Sequence, residues 1–360
     1  MGNRKRLKPS SRPTEKSDLF DDLPDDLVIC ILRKLSSSAS RPSDLVNILF
    51  TCKRMYCLCL NPLVLSEAGA KTFAIKANNW SDSAHRFLKR CVNAGNIEAT
   101  YTLGMIRFYC LQNRQSGASL MAKAAIKSHG PSLYSLAVIQ FNGSGGSKDD
   151  KDLRAGVALC ARATFLGHID ALRELGHCLQ DGYGVPQNVS GGRRFLLQAN
   201  ARELASSFNS MLTSRPSRKH PLGHANHACL SMANIDITGC PLLSELGCNV
   251  PAREVHPANQ FLRDWFLSGR GTLGQGLRLC SHSGCGRPET RPHEFRRCSV
   301  CGTVNYCSRA CQALDWKLRH RLQCVQQIEQ WHDGAGEHDG DNEIGEIAEI
   351  EGADDVAIPE

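Results

Sequence analysis

The chain has 360 residues, of which 41% are hydrophobic and 22% are charged, and its formal net charge is +7. This length predicts two or three domains, and the hydrophobic content is sufficient for buried cores. No stretch approaches the roughly 18 consecutive apolar residues of a transmembrane helix, so we expect neither a membrane protein nor a membrane partner. The basic N-terminus has no apolar run behind it, so no signal peptide is expected.

The net charge hides a strong asymmetry along the chain. Eleven acidic residues and no lysine or arginine lie between Asp333 and the end, so the remainder carries 43 basic against 25 acidic residues. Such an acidic segment is typical of a disordered tail, although its repeated isoleucines leave an induced helix as the alternative. The basic run Arg4–Lys8 within the polar N-terminus fits a nuclear localisation signal and a solvated chain end equally well.

An apolar pattern with helical period begins at Phe20. The run Leu23-Pro24-Asp25-Asp26 predicts a helix N-terminus, because proline suits the first turn and carboxylates favour the positive end of the helix dipole. The serine-rich stretch Ser36–Ser43 predicts a loop, and Asp44 predicts the N-cap of a second helix that ends before Asn61-Pro62. The apolar positions are Leu23, Leu27, Val28, Ile31, Leu32 and Leu35, followed by Leu45, Ile48, Leu49, Cys52 and Tyr56.

This region resembles an F-box, a three-helix module, on its Leu-Pro start, its apolar stripe, the tripeptide Cys52-Lys53-Arg54 and the downstream Pro62. Two features depart from the family: the loop after the first helix is longer, and Tyr56 stands where tryptophan is frequent. The resemblance implies docking on the Skp-type adaptor of a cullin-based ubiquitin ligase; a plain helical bundle is the alternative. The residues that would bind the adaptor are Leu23, Pro24, Leu27, Ile31, Leu32, Leu35, Leu45 and Pro62.

Three similar short sequence segments between residues 95 and 205 indicate internal repeats. Gly95, Gly130 and Gly167 end these segments at spacings of 35 and 37 residues, the length of a helix–turn–helix repeat. A helix is predicted after each glycine, and a second helix follows it at Ala118–Ile126, Ala155–Thr164 and Arg193–Ala201. Small residues in the first helices, which would let the partner helix approach closely, are Gly104, Ala137 and Gly176.

The turn Gly182-Tyr183-Gly184-Val185 resembles that of Sel-type, tetratricopeptide-like repeats, whereas the first repeat is degenerate at Leu111–Arg114. The resemblance implies a short α/α solenoid of three helix pairs, whose concave face would bind a partner protein. The alternative is that these helices only connect the two ends of the chain.

The composition changes after the repeats. Residues 215–221 are basic and broken by proline, and the histidines and cysteine at 220–229 match no zinc-binding spacing, so a loop is predicted. The apolar run Phe261–Leu267 predicts a short helix that packs on a neighbouring domain or, alternatively, exposes a partner site. The stretch Gly269–Gly276 predicts a flexible hinge.

Seven cysteines and one histidine form four closely spaced pairs near the C-terminus. The spacings are Cx4C, Cx2C, Cx3C and Hx3C, and such pairs can each hold an ion from a tight turn. Eight ligands suffice for two closed tetrahedral Zn²⁺ sites, so the metal is predicted to be structural and not catalytic. Spacing alone leaves open whether the pairs are used sequentially or crossed. The ligands are Cys280, Cys285, Cys298, Cys301, Cys307, Cys311, His320 and Cys324.

Residues 280–324 resemble a MYND-type zinc finger, with Tyr306 before the third pair and Gln312 and Asp315-Trp316 in a helix predicted from about Ala310. The Cx4C pair departs from the usual Cx2C. The family cross-braces its ions, which implies that the first and third pairs hold one Zn²⁺ and the second and fourth the other. Family members bind short Pro-containing peptides, and Trp316 is the candidate contact; burial under the helix is the alternative. Basic residues expected to offset the thiolate charge are Arg296, Arg297, Arg309, Lys317, Arg319 and Arg321.

F-box, repeats and MYND finger together resemble a plant F-box protein family. This implies a non-catalytic substrate-recognition subunit of an SCF-type ubiquitin ligase, with adaptor and cullin partners and a target bound by the repeats, the finger or both. The alternative is a transcription-linked scaffold that binds Pro-containing peptides independently of a ligase. MYND fingers also occur in lysine methyltransferases, but no second half of such a domain, nucleophile–base pair or open metal site is found. Nucleic-acid binding is disfavoured because no recognition-helix pattern stands out.

The other eleven cysteines fall mostly on apolar helical faces, so we expect reduced thiols in a nuclear or cytoplasmic protein. The predicted fold is mostly α. Its predicted divisions are a disordered N-terminus (1–17), the F-box (18–66), a connecting helix (67–94), helical repeats (95–205), a linker with a short helix (206–279), the zinc finger (280–324) and a disordered acidic tail (325–360).

Overall fold

The computed structural model describes residue 20, residues 22–213 and residues 253–324, with side chains described only as far as residue 206 in the helix that ends at Thr213. The predictions for 1–17, 215–229 and 325–360 therefore lie outside the described residues. Within the described part the fold is mostly α, as predicted, with one two-stranded antiparallel sheet. No helix in these ranges is long and apolar enough to cross a membrane.

The described residues contain thirteen α-helices, two strands, two 3-10 turns (Ala70–Phe73 and Ala77–Asn79) and two π-helical turns (Ile106–Cys110 and Trp316–His320). The helices are α1 Asp25–Ser38, α2 Pro42–Leu49, α3 Lys53–Cys59, α4 Pro62–Ser66, α5 Asp82–Asn93, α6 Ile97–Met105, α7 Arg114–Ile126, α8 Gly130–Asn142, α9 Leu153–Phe165, α10 Ile169–Asp181, α11 Val189–Thr213, α12 Pro257–Leu267 and α13 Arg309–Asp315. The strands are β1 Arg296–Arg297 and β2 Asn305–Tyr306.

Helices α1–α4 form a small module around their own core. Val28, Leu32 and Leu45 are almost completely buried there. The predicted loop Ser36–Ser43 is largely wrong, because α1 continues to Ser38 and the serine hydroxyls at its end donate hydrogen bonds back to a helix carbonyl. The connection to α2 is therefore short.

The second predicted helix of this module is also different. It is split into α2 and α3, and the Sγ of Cys52 caps α3 by accepting from the amide of Met55 at 3.4 Å. Asp44 is not the N-cap but the third residue of α2. Its carboxylate accepts hydrogen bonds from the amides of Ser40 and Arg41 at 2.9 and 3.1 Å. The bond from Arg41, the N-cap residue, is the one that the third helical residue makes in a capping box.

The helical repeats are built as predicted from the pairs α6/α7, α8/α9 and α10/α11. Two pairs cross where glycines face each other. A Cβ atom on Gly117 would lie 2.6 Å from the amide nitrogen of Phe108 and 2.8 Å from the carbonyl of Gly104, and one on Gly192 would lie 2.7 Å from the carbonyl of Gly176. The predicted role of small residues in close helix packing is confirmed at these crossings.

The boundaries of the repeat region differ from the prediction. Only residues 82–93 of the predicted connecting segment 67–94 form an α-helix, and α11 runs past the predicted end at 205 as far as Thr213. The middle repeat also ends differently: Gly95 and Gly167 have positive φ, but in the middle repeat Ser128 takes that conformation (φ 61°). Gly130 is instead the first residue of α8.

Helix α12 packs on the first part of the solenoid, as predicted for this apolar run. Phe261, Leu262 and Trp265 are buried in the core formed around α5–α7. The prediction of a flexible hinge at Gly269–Gly276, directly after α12, is wrong for its first residues. There the amide of Gly271 donates to the carbonyl of Trp265 at 3.1 Å, and Arg270 donates to the carbonyls of residues 77 and 78.

The Gly104–Gly117 crossing yields a stability prediction. We expect Gly117→Ala to lower the free energy of unfolding by about 1–3 kcal/mol, because the added methyl group overpacks a backbone contact, although alanine is the better helix former. The matched control is Gln115→Ala, at an exposed position of the same helix. Urea denaturation of both variants checks this, and a Gly117→Ala protein as stable as the control would contradict it.

Candidate metal centres and docking faces

The eight predicted ligands converge into two clusters of four. One consists of Cys280, Cys285, Cys307 and Cys311, all buried, with every ligand atom within 4.8 Å of the others. The other consists of Cys298, Cys301, His320 and Cys324, under the same distance limit, with Cys301 half-buried. The first pair thus meets the third and the second meets the fourth, which is the crossed arrangement.

The spacing inside the four-cysteine cluster fits a tetrahedral ion. The Sγ atoms of Cys285 and Cys307 are 3.5 Å apart, and those of Cys307 and Cys311 are 3.6 Å apart. A tetrahedron with zinc–sulfur bonds of about 2.3 Å has edges of about 3.8 Å. The cluster therefore needs only a slight expansion to accept such an ion.

The electrostatics of this cluster also call for a cation. Hydrogen bonds from its neighbouring thiols hold the pKa of Cys285 well below the ordinary range. Burial raises the pKa of Cys280, and hydrogen bonds with the other thiols raise that of Cys311. A bound divalent metal would stabilise the thiolate form of all four cysteines.

The second cluster is more open. The Sγ of Cys301 lies 3.5 Å from Nε2 of His320 and 3.1 Å from the hydroxyl of Thr303. Burial acts to raise the pKa of Cys301, but hydrogen bonds from Thr303 and the backbone outweigh it and lower the pKa to about 7. This thiol is therefore prepared to bind a metal at neutral pH.

The helix that carries His320 is less regular than predicted. Helix α13 ends at Asp315 and passes into the π-helical turn Trp316–His320. The hydroxyl of Tyr306 donates to the carboxylate of Asp315 at 2.9 Å, with both side chains buried. This contact ties the end of α13 to β2, which explains the positions of Tyr306 and Asp315 in the pattern.

The finger is docked on the solenoid along the first helices of the repeats. The hydroxyls of Tyr134 in α8 and Ser308 lie 3.0 Å apart, and Asn142 donates to the carbonyl of Cys307 at 2.8 Å. Side chains of α8–α10 and the four-cysteine cluster share one hydrophobic core. The chain's own finger therefore covers part of the solenoid surface formed by α8–α10, and binding of a partner protein by the concave face stays a prediction.

A carboxylate of the solenoid caps the finger helix. Glu174 of α10 accepts hydrogen bonds from the amides of Arg309 and Ala310 at 3.2 and 2.7 Å. These amides open α13 and have no partner within the helix. Burial raises the pKa of Glu174 in spite of these hydrogen bonds. Nothing in the spacing of the sequence pointed to this residue.

The basic residues predicted to face the thiolates mostly have other partners, which corrects that prediction. Arg309 pairs with Asp181 at 2.6 Å, Arg319 pairs with Asp315, and Arg297 contacts His293. Lys317 joins a buried network in which Glu203 accepts from both Lys317 and Arg173, at 2.8 and 2.7 Å. These side chains hold the finger together or anchor it to the solenoid.

A residue that the sequence analysis missed does contact the cluster. Arg287 is 3% exposed and donates to the Sγ of Cys285 at 3.4 Å. Burial acts to lower its pKa, but the charges of Cys285 and Cys307 outweigh burial and hold it well above the ordinary value. Its position two residues after a ligand is the only signal in the sequence that could have drawn attention to it.

Trp316 lies half-buried at the seam between the finger and α10. It lines a cavity of about 130 Å³ together with His177, Arg309, Gln312 and Ala313. Three buried polar atoms on these residues have no hydrogen-bond partner: His177 Nε2, Arg309 Nε and Gln312 Oε1. Trp316 is thus neither fully exposed nor buried under the helix.

The structure divides the predicted adaptor-binding residues into three groups by exposure. Leu27 and Ile31 are 52% and 44% exposed on α1, and the prolines at 24 and 62 are exposed as well. Leu23 and Leu35 are half-buried. Leu32 and Leu45 are 1% and 0% exposed, so the prediction that they contact a partner is wrong; they form the core that holds α1 in place.

Together these features define a class: a multidomain protein whose helical module exposes an apolar stripe and whose repeat solenoid carries a cysteine-rich finger. The family model for the MYND finger matches residues 280–324. The model for plant tetratrico peptide repeats matches residues 70–173, so α5, predicted as a connector, lies inside the matched repeat region.

Similar full-length proteins carry the comparison further. An F-box protein of Arabidopsis thaliana is 62% identical over 98% of this chain and 92% of its own length. A second Arabidopsis F-box protein is 60% identical over 95% of each chain. The chain therefore belongs to this family of plant F-box proteins. Among solved structures, a Sel1 repeat protein from Oxalobacter formigenes covers 36% of this chain and 97% of its own, with 18% identity and a TM-score of 0.30.

Proposed function

We propose that this protein is the substrate-recognition subunit of an SCF-type E3 ubiquitin ligase. The F-box would dock on a Skp-type adaptor and through it on a cullin, and the solenoid–finger unit would hold the target. The chain itself would be non-catalytic and would act by proximity, since it would bring the target close to the subunits that transfer ubiquitin. The relatives named F-box proteins support this assignment.

The observation that carries the proposal is the exposed apolar stripe on α1. Leu27 and Ile31 stand one helical turn apart and are about half exposed, while Val28 and Leu32 beside them fill the core. A helix that buries one apolar face and leaves a second one in solvent is an unusual arrangement for an isolated module, and it suits docking against a partner. A scaffold that works without a ligase is the alternative, and adaptor binding separates the two.

We expect the double substitution Leu27→Asp and Ile31→Asp to weaken adaptor binding more than about tenfold, because two buried carboxylates would be left without partners in the interface. Isothermal titration of purified adaptor into the full chain measures this, with circular dichroism to verify the fold. The matched control is Phe165→Asp, an equally drastic change at an exposed apolar side chain of the solenoid. Wild-type protein that is folded but binds no adaptor would contradict the proposal and favour a scaffold that works without a ligase.

We further propose that the two clusters hold two structural Zn²⁺ ions. Sulfur-rich tetrahedral sets of this kind suit zinc, and all ligand positions are supplied by the protein, so no site is left for a catalytic water. In zinc-finger peptides the metal contributes roughly 10–16 kcal/mol to folding. A finger of this size has little core of its own, so the ions would be its main source of stability.

We expect two zinc ions per wild-type chain and one in the double variant Cys298→Ser, Cys324→Ser, which removes two of the four ligands of the second cluster. Elemental analysis combined with native mass spectrometry identifies and counts the ions. The control is Cys110→Ser, at a cysteine outside both clusters, which should retain two. A wild-type chain with one ion, none, or a different metal would contradict the zinc proposal.

The cavity beside Trp316 is our candidate for target binding. Its indole and Ala313 offer an apolar wall, and its volume of about 130 Å³ suits one small side chain such as proline. The unpartnered Oε1 of Gln312, which can accept an N–H, and the unpartnered Nε of Arg309, which can donate to a carbonyl, are buried and would have to turn toward the ligand. A peptide backbone supplies both groups.

We expect Trp316→Ala to weaken binding of Pro-containing peptides about tenfold or more, as is common for a tryptophan at the centre of an interface. Peptides selected from a Pro-containing library on the immobilised full chain serve as probes, and fluorescence polarisation measures their affinity. Leu318→Ala is the control, since Leu318 lies in the same turn but outside this cavity. Equal binding by both variants, or no selected peptide, would contradict this site.

We also propose a nuclear or cytoplasmic location. The support is chemical: both clusters need reduced thiols, and reducing compartments maintain them.

A further inference from the structure

Arg287 bridges the four-cysteine cluster and the solenoid. Its Nη1 donates to the Sγ of Cys285 at 3.4 Å, and its Nη2 donates to the hydroxyl of Ser135 in α8 at 2.9 Å. The guanidinium carbon lies 5.8 Å from the ring centre of Tyr134, and the hydroxyls of Ser135 and Tyr101 are 3.1 Å apart. Arg287 therefore connects a predicted metal ligand to α8 directly and, through Ser135, to Tyr101 of α6.

The loop that carries Arg287 is held in place from the other side by α12. Asn259 donates its side-chain amide to the carbonyl of Cys285 at 2.8 Å. Gly286 has φ +71°, and a Cβ there would lie 2.5 Å from the amide nitrogen of Arg263 and 2.6 Å from the carbonyl of Asn259. The loop thus has little freedom to move without disturbing α12 or α8.

The charge of Arg287 needs its partner at the cluster. A guanidinium that is 3% exposed is costly to bury unless an opposite charge and hydrogen bonds compensate for it. Four thiolates and one divalent ion carry a net charge of −2, which supplies this compensation. Among the described residues, no other cationic side chain is seen to donate a hydrogen bond to a sulfur of this cluster.

We propose that Arg287 is a positioning residue that couples metal binding at the four-cysteine cluster to docking of the finger on the solenoid. This inference rests on the proposed zinc sites. Loss of the ion disperses the ligands that Arg287 contacts and leaves a buried charge without its partner, so the finger separates from α8. By thermodynamic reciprocity, docking raises the affinity of the cluster for its metal.

The second cluster is outside this coupling. None of its four ligands makes a described hydrogen bond to the solenoid, and Cys301 is partly open to solvent. The two ions should therefore differ. The ion of the second cluster should leave first and independently of the repeats, whereas loss of the ion of the four-cysteine cluster should be accompanied by undocking of the finger.

The variants that test this inference are Arg287→Met, Arg287→Lys and Arg291→Met, each in the full chain. Methionine removes the charge while keeping much of the volume, and lysine keeps the charge but has a single head group that cannot donate in the same fork geometry. Arg291 is the matched control because it donates to the solenoid carbonyls of residues 142 and 143 and is not seen to contact a thiolate.

Two readouts are needed, one for the metal and one for docking. Cobalt titration of the chelated protein reports the two sites through their different sulfur-to-metal absorption, since one has four sulfurs and the other three sulfurs and one nitrogen. Hydrogen exchange of α8 amides, compared between loaded and chelated protein, reports docking.

For Arg287→Met we expect the four-cysteine cluster to lose about 10- to 100-fold in cobalt affinity, the loss typical for hydrogen-bond partners of metal ligands, with the other site unchanged. Protection of α8 should increase on metal loading in the wild type and no longer respond in Arg287→Met. Arg287→Lys should recover part of the metal affinity. Arg291→Met should keep its cobalt affinity within a few-fold of the wild type.

Arg287→Met protein with wild-type cobalt affinity and a wild-type response of α8 would overturn this inference alone. The same holds if Arg291→Met reproduces every effect of Arg287→Met, since the effects would then reflect general loss of docking. A wild-type chain that takes up no ion at the four-cysteine cluster would overturn the zinc proposal and this inference together, so the two failures are distinguishable.

Discussion

The contact between the finger and the repeats is the constraint on which the arrangement of the solenoid–finger unit depends. It buries the charged network of Glu203, Arg173 and Lys317 and places Glu174 on the opening amides of α13. Buried ion pairs add little net stability, because desolvation offsets their attraction, but they are demanding in geometry. They therefore specify one docked orientation, while the apolar surface shared with α8–α10 supplies most of the driving force.

This docking determines which surfaces are left for partners. The finger is not a free module on a linker, and the solenoid face that it covers is not available to a target without undocking. In the described part of the chain, the surfaces that we propose for partners are the stripe of Leu27 and Ile31 at one end and the cavity of Trp316 and His177 between the finger and α10. The module of α1–α4 has its own core, separate from the core that includes the cysteines, so the proposed adaptor and target sites lie on different parts of the chain.

The elements that could be predicted from the sequence are those set by local chemistry: the metal ligands by the spacing of cysteines, the repeats by their glycine period, and α1 by its apolar stripe. Features that depend on contacts between distant segments could not be predicted. The roles of Arg287 and Glu174 exist only once the finger is docked, and a period of four does not show which side of α1 packs inward, so Leu32 was grouped with Leu27. The prediction of a loop at Ser36–Ser43 was largely wrong because serine hydroxyls at a helix end can donate hydrogen bonds to carbonyls of the same helix.

The independence of the two proposed binding faces is tested most directly by titrating the Skp-type adaptor into the full chain before and after chelation. Equal affinity in the two states, with the repeats loosened only after chelation, is the predicted result, because the core that supports α1 includes no described residue of the finger. Loss of adaptor binding on chelation, or its absence in the loaded protein, would contradict this account.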